Sequence, residues 1–175
     1  MQNANKRILM AYYSRKGQNY TNGKVMHLPV GNTEVVANKI KDFVGGDLFE
    51  INTVKPYPLD YTETTNIAKD ELRKNARPEL TETVKNMADY DVIYLGYPNW
   101  WGTFPMAVFT FLESYDFSGK TIIPFCTHEG SGLGRSEQDI KKLCPNALVL
   151  SGLAILGSSV TSADTSIQLW LKMPK

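Results

Sequence analysis

Apolar residues cluster along this chain in two periodicities. Arg7 to Tyr13 and Asp91 to Tyr97 are near-continuous apolar runs, the pattern of strands covered on both faces. Thr121 to Cys126 and Leu148 to Ile155 read as two further strands, although Pro124 sits awkwardly in a central one. Leu48 to Ile51 is shorter and alternates, which predicts a strand nearer the sheet edge. Between these runs the spacing becomes helical: Val36, Ile40, Phe43 and Val44, stopped by Gly45-Gly46, mark a first long helix. A polar helix is predicted from about Thr62 to Lys74, and another from Pro78 towards Ala88. Ala107, Val108, Phe111 and Leu112 predict a helix whose first turn Pro105 suits. Ser136 to Leu143 reads as the next, and Ala163, Ile167, Trp170 and Leu171 close the chain as an amphipathic helix that Ser162 would cap.

Strands alternating with helices define an α/β fold with a parallel sheet and right-handed crossovers. Five strands fit a three-layer, doubly wound, five-stranded parallel sheet in the order 2-1-3-4-5. At 175 residues, without an internal repeat or linker-like stretch, one domain over 1–175 is expected, with residues 1–6 as a disordered tail.

In such a sheet the loops at the carboxyl ends of the strands converge on one crevice, where ligands bind. Three of these loops carry chemistry. The first is Ser14-Arg15-Lys16-Gly17, resumed at Gly31-Asn32-Thr33 where the first helix begins. Unpaired amides and the positive end of the dipole make such a helix start an anion site, which the hydroxyl and amide side chains of Ser14, Asn32 and Thr33 could complete. The same residues could equally serve as plain helix caps. The second, Pro98-Asn99-Trp100-Trp101-Gly102, places two bulky indoles in a turn, where neighbours cannot both face inward; at least one is expected to line a ligand plane. The third, Thr127-His128-Glu129-Gly130-Ser131-Gly132, is a polar turn whose glycines permit close backbone approach to a ligand.

Other motifs fail on their residues. Arg135 stands where Gly130-x-Gly132 would need the third glycine of a dinucleotide fingerprint, and Gly17 to Lys24 is mis-spaced for a P-loop, with Val25 in place of Ser or Thr. Gln138 breaks a nucleophile elbow at Gly134-Arg135-Ser136, and His128-Glu129 lacks the second histidine of a zinc protease. With only His27 and His128, no multi-histidine metal site can form, and no metal is expected. Cys126 and Cys144 lack metal spacing and read as reduced core residues. A net charge of +1 gives no nucleic-acid footprint. No apolar run reaches a membrane span, and Met1 to Asn5 lacks a signal core, so a cytoplasmic location is expected. Lys69, Glu71, Arg73, Lys74 and Arg77 read as a solvated face, and the tyrosines at 57, 61, 90, 94 and 97 as packing residues.

The three loops together carry a resemblance. From about Arg7 to Leu171 the chain resembles the flavodoxin-like family of FMN-binding proteins. The resemblance implies that Ser14, Arg15, Gly17, Gly31, Asn32 and Thr33 belong to the FMN phosphate loop. It places Pro98, Asn99, Trp100, Trp101, Gly102 and Thr103 along the isoalloxazine ring's inner flank and edge. Thr127, His128, Glu129, Gly130, Ser131 and Gly132 would meet the ring's pyrimidine end, and His128, Glu129 and Arg135 would tune the reduced flavin. The chain departs from the family pattern in two ways. Fourteen residues, Gly17 to Val30 or Gln18 to Gly31, intervene in a phosphate loop that is otherwise compact, an insertion that could form a hairpin at Asn22-Gly23 over the flavin. The charge is near neutral, whereas flavodoxins proper tend to be acidic.

The function this implies is electron transfer through non-covalent FMN, with the flavin carrying the chemistry and no catalytic side chain required. The partner is a redox protein or a small-molecule acceptor. The alternative is an NAD(P)H-dependent FMN oxidoreductase acting on quinones or similar acceptors. A third reading keeps the fold for a non-redox phosphometabolite site or docking domain. A hydrolase fits least, because no nucleophile–histidine–acid set can be assembled. Oligomeric state is left open.

Overall fold

The structure, a computed structural model, describes residues 5–174. The first four residues of the expected tail lie outside that range; Asn5 and Lys6 are exposed and irregular. The central sheet is parallel throughout. β1 (Ile8–Tyr12) is flanked by β4 (Asp47–Glu50) and β5 (Val92–Pro98), and β6 (Thr121–His128) lies beyond β5. A fifth position beside β6 is shared by β7 (Leu148–Val149) and β8 (Leu153–Leu156). Counted as five strands, this is the order 2-1-3-4-5.

Pro124 explains the split at the fifth position, which the sequence pattern reads as one strand. β6 keeps unbroken register with β5, from Val92 against Thr121 to Pro98 against Thr127. On its other side, pairing stops after Ile122 and resumes at Phe125. Proline offers no N–H to a ladder, so the chain opposite it leaves the sheet between Val149 and Leu153. Gly152 passes close there: a Cβ on it would lie 3.0 Å from the Pro124 ring.

Side chains leave a strand on alternate faces, so each buried run feeds two cores. Met10, Tyr12, Val92, Tyr94, Ile123 and Phe125 point to one face. There α1 (Asn32–Val44) covers them with Val36, Ala37 and Ile40, and α5 (Asp164–Leu171) with Ile167 and Trp170. Leu9, Ala11, Ile93, Leu95, Tyr97 and Ile122 point to the other. That face is closed by Ala107, Val108, Phe111 and Leu112 of α3 (Met106–Glu113) and Ile140 of α4 (Ser136–Leu143). Each Val, Leu, Ile, Phe or Met side chain among them contributes about 1.5–3 kcal/mol when fully buried. Both cysteine thiols are free and buried, and burial pushes Cys126 up to about 12 and Cys144 to about 11.

Four expectations need correcting. No helix runs from Pro78 towards Ala88; instead residues 79–81 pair with 52–54, through Val54 N–H to Glu79 O and Thr81 N–H to Asn52 O, each at 2.8–2.9 Å. Val84 N–H then donates to Tyr115 Oη, and one short 3-10 turn, Met87–Asp89, precedes β5. Extended pairing has therefore taken the amides a helix would need. Ser162 does not cap α5: it ends a 3-10 segment, Gly157–Ser162, and its hydroxyl donates to Ser159 O. Ala163 takes the cap position. Pro105 stands just before the first residue of α3 rather than within its first turn. The fourth correction is the divided fifth strand.

α2 (Tyr61–Arg73) begins at Asp60, whose carboxylate accepts from Glu63 N–H at 2.7 Å, and buries only Thr64 and Ala68. The segment inserted after β1 is a second, two-stranded antiparallel sheet, β2 (Gly17–Thr21) against β3 (Lys24–Leu28). Its Asn22-Gly23 turn has both φ angles positive, 50° and 83°, which suits a tight type I′ hairpin. Among the described residues no helix is long and apolar enough to cross a membrane.

Gly96 of β5 leaves room for a large ring on neighbouring β6: a Cβ there would fall 2.2 Å from the buried Phe125 ring. Gly96→Ala is expected to lower unfolding free energy by about 2–3 kcal/mol through overpacking, measured as a reduced urea midpoint with unchanged slope.

Candidate functional site

The carboxyl ends of β1, β5 and β6 open into one cleft with two connecting parts. The wider part, about 410 Å³, is bounded by Trp100, Trp101, Gly102 and one face of α2. The narrower and more polar part, about 190 Å³, reaches Asn32, Thr33, Thr127 and Gly157. Arg15, Asn19, Tyr61, Asn99, Trp100 and Ser131 line both, so the α1 start and the indoles border one continuous space.

At the α1 start, backbone geometry decides what fits. Gly31 precedes the helix in an extended conformation and makes no side-chain cap. A Cβ on it would fall 2.1 Å from Ser14 Oγ and 2.8 Å from Arg15 O, so only glycine lets the helix approach this closely. Ser14 Oγ accepts the Glu34 N–H at 3.0 Å, while Val35 N–H returns to Gly31 O. Ser14 therefore caps the helix from outside it and does not line the cleft. The amides of Asn32 and Thr33 have no intrahelical acceptor within reach, and they sit at the positive end of the dipole. Thr33 Oγ1 lies 2.8 Å from Thr127 Oγ1 in a buried contact that ties the first loop to the third.

The second loop is braced by Asn99. Its carboxamide oxygen accepts Gly102 N–H at 2.9 Å, and its nitrogen donates to Gly132 O at 2.8 Å, which locks the second loop to the third. The two indoles divide their roles. Trp100 is half-buried and packs edge to face on Tyr13 and Tyr57, at ring distances of 5.3 and 5.2 Å. Behind it, Tyr57 Oη donates to Glu71 at 2.6 Å. Burial, then this bond, raises the Tyr57 hydroxyl, and burial raises Glu71. Trp101 is exposed, adopts φ 58°, and donates from Nε1 to Thr65 O on α2 at 3.0 Å, with the Lys69 ammonium 5.1 Å above its ring. Thr103 is fully buried under the loop, bonded to Asp139 at 2.7 Å.

In the third loop, His128 Nδ1 accepts Gly130 N–H at 2.9 Å and fixes the turn, while the imidazole still borders the cleft. Glu129 turns outward to the hairpin, accepting from Thr21 Oγ1 at 2.9 Å and Asn22 N–H at 3.1 Å. Arg135 is exposed and pairs with Asp139 at 3.3 Å. Arg15 holds the hairpin's base: Nε donates to Gln18 O at 3.2 Å and Nη2 to Pro58 O and Leu59 O at 2.9 and 3.0 Å. Burial lowers its guanidinium pKa, a shift opposed by neighbouring Tyr13 and Asp60.

Of the residues singled out by sequence, Arg15, Asn32, Thr33, Pro98, Asn99 and Trp100 border the cleft. Trp101, Gly102, Thr127, His128, Glu129 and Ser131 do too. Ser14, Gly17, Gly31, Thr103, Gly130 and Gly132 are not among its lining residues. The sequence pattern did not single out Asn19, Tyr20, Thr64, Thr65, Ala68 or Gly157, and Tyr61, read there as a packing residue, lines both parts of the cleft. The α2 set carried a readable signal: positions 61, 64, 65 and 68 are uncharged and share a helical face. Gly157 carried none; it matters because a Cβ there would meet Asn32 and Glu129 at 2.5 Å.

A strand-end cleft at the switch point of a 2-1-3-4-5 sheet, with an anion-seeking helix start and paired indoles, defines a doubly wound ligand-binding protein. The family model described as flavodoxin matches residues 7–173, and the chain belongs to that family. A protein from Bacteroides eggerthii described as a flavoprotein shares 31% identity, covering 94% of this chain and 95% of its own, with a TM-score of 0.76. Another so described, from Bacteroides uniformis, shares 28% over 96% of this chain and 99% of its own, with a TM-score of 0.75. A flavoprotein from Lactobacillus acidophilus, solved in complex with FMN, shares 22% over 91% of this chain and 99% of its own, at a TM-score of 0.63, and so shares the fold. A search of curated proteins returned no match.

Gly31→Ala is expected to force the α1 start away from Ser14. The variant should lose about 1–3 kcal/mol of stability, read from urea unfolding, and show shifted amide resonances for residues 32–34.

Proposed function

We propose that this chain is an FMN flavoprotein whose flavin, when bound, supplies the electron chemistry. The observation that carries this reading is the single cleft joining the α1 start to Trp100 and Trp101. The donor set fits the group. The unpaired Asn32 and Thr33 amides, with the Asn32 carboxamide, would receive the phosphate, and the Gly31 approach keeps that cradle clear of side-chain atoms. The indoles would flank the isoalloxazine, excluding water from its inner side. His128, Thr127 and Ser131 would face its polar edge, with His128 held in place by Gly130. Redox tuning by Glu129 and Arg135 has less support, because both are committed to bonds elsewhere.

Two functional classes follow from FMN binding: a carrier that docks redox proteins, and an NAD(P)H-dependent oxidoreductase for quinones or similar small acceptors. The second is favoured by the hairpin, which links α2 to the third loop and borders the cleft through Asn19 and Tyr20. Such a border suits small acceptors better than a broad protein surface.

The purified protein should be yellow and release FMN, identified by mass, at one per chain; protein that stays colourless after FMN is added contradicts the reading. Trp100→Ala and Trp101→Ala should each weaken FMN binding about ten-fold, a loss of about 1.4 kcal/mol, in fluorescence titrations. Unchanged affinity in both variants would refute the stacking role. Rapid NAD(P)H oxidation by holoprotein with a quinone assigns the oxidoreductase; no turnover assigns the carrier.

A further inference from the structure

The cleft has a wall that belongs to none of the three strand-end loops. Tyr61, Thr64, Thr65 and Ala68 occupy one stripe of α2, and all four line its wider part. Tyr61 also borders the narrow part, and Tyr20 of the hairpin stacks behind it at 6.1 Å and 29°. This wall is tied in place at several points. Tyr61 N–H donates to Gln18 Oε1 at 2.9 Å, and Arg15 clamps the hairpin base to Pro58 and Leu59. Glu129 fastens the hairpin turn to the third loop, and the Trp101 indole fastens α2 to the second.

The residue types along this stripe suit a flat guest. The third loop, Thr127 to Gly132, contains no Phe, Tyr or Trp and offers only the His128 imidazole, so a second large aromatic face for a planar ligand must come from another element. Three small side chains beside one tyrosine leave the wide part open; a longer apolar chain at any of these positions would narrow it. The Glu129 carboxylate, the acceptor for both Thr21 and Asn22, is the hairpin's latch to the opposite rim.

We propose that α2 and the hairpin form a fourth, ring-contacting wall, in which Tyr61 supplies an aromatic face to a planar tricyclic ligand and Ala68 with Thr64 keeps the space it needs. The assignment rests on the FMN reading and extends it. Tyr61 is a contact residue, Ala68 sets the admissible width, and Glu129 is a positioning residue that slows release by keeping the hairpin down. Riboflavin, which has the ring and lacks the phosphate, should feel the wall as strongly as FMN does.

The test titrates wild-type apoprotein with FMN and with riboflavin, following flavin fluorescence. Wild-type protein that fails to bind FMN removes the underlying reading and is recognised before any variant is made. Given wild-type binding, Ala68→Leu should weaken both flavins about ten-fold or more, and Tyr61→Leu about ten-fold, with Tyr61→Phe restoring affinity. Glu129→Ala should raise the FMN dissociation rate several-fold in stopped-flow displacement. Tyr61 is half-exposed, so its variants test the wall even where Ala68→Leu fails to fold. Wild-type affinity for both flavins in Tyr61→Leu, or a Tyr61→Phe variant as weak as Tyr61→Leu, would overturn the assignment.

Discussion

The closeness of Gly31 to Ser14 and Arg15 is the constraint on which the site depends. A helix start can attract an anion only if its first amides face the crevice, and side-chain atoms between them and the ligand would block it. Here the α1 start is pressed against the end of β1, with no room for even one carbon on Gly31. Ser14 satisfies the Glu34 amide from outside the helix, which leaves the Asn32 and Thr33 amides as the ones turned to the crevice. The Thr33–Thr127 contact then sets the distance between the first loop and the third, and Asn99 sets the distance between the third and the second. Two hydrogen-bonded cross-links thus hold three loops from separate strands in one arrangement.

The sheet makes this possible because its two central strands are covered on both sides. β1 and β5 each divide their side chains between two cores, so their carboxyl ends are anchored by helices on both faces. Pro124 shows how local chemistry interrupts this regularity without harming the site. The ladder breaks beside it and resumes at Phe125, so β8 still reaches His128, where the third loop begins.

Much of this was legible in the sequence, because burial on two faces leaves an unmistakable apolar run and amphipathic helices announce their spacing. β1, β5, α1 and α4 follow those patterns closely, and the order of loops along the chain located the crevice. What escaped was set by contacts distant in sequence. The stretch after Pro78 has apolar residues at helical intervals, yet its amides pair with residues 52–54, a choice that no local pattern reveals. The hairpin turn was readable from Asn22-Gly23, but its destination was not: it is Glu129, more than a hundred residues away, that receives it. α2 looked like a solvated helix because of its charges, while the uncharged stripe at 61, 64, 65 and 68 was readable in the spacing but gave no sign of which wall it would form. Ser14 also accepts the Glu34 amide of α1, a tie that the sequence pattern does not announce.

The central claim is that one ligand touches the α1 start and the indoles at once. It is tested most directly by a 1H–15N NMR titration of the apoprotein with FMN, following the Asn32 and Thr33 amides and the Trp100 and Trp101 indole N–H signals together. The account predicts that all four respond over the same range of added FMN and reach their end points at one equivalent. Amides that shift while the indoles stay unperturbed, or changes that complete at different equivalents, would contradict it.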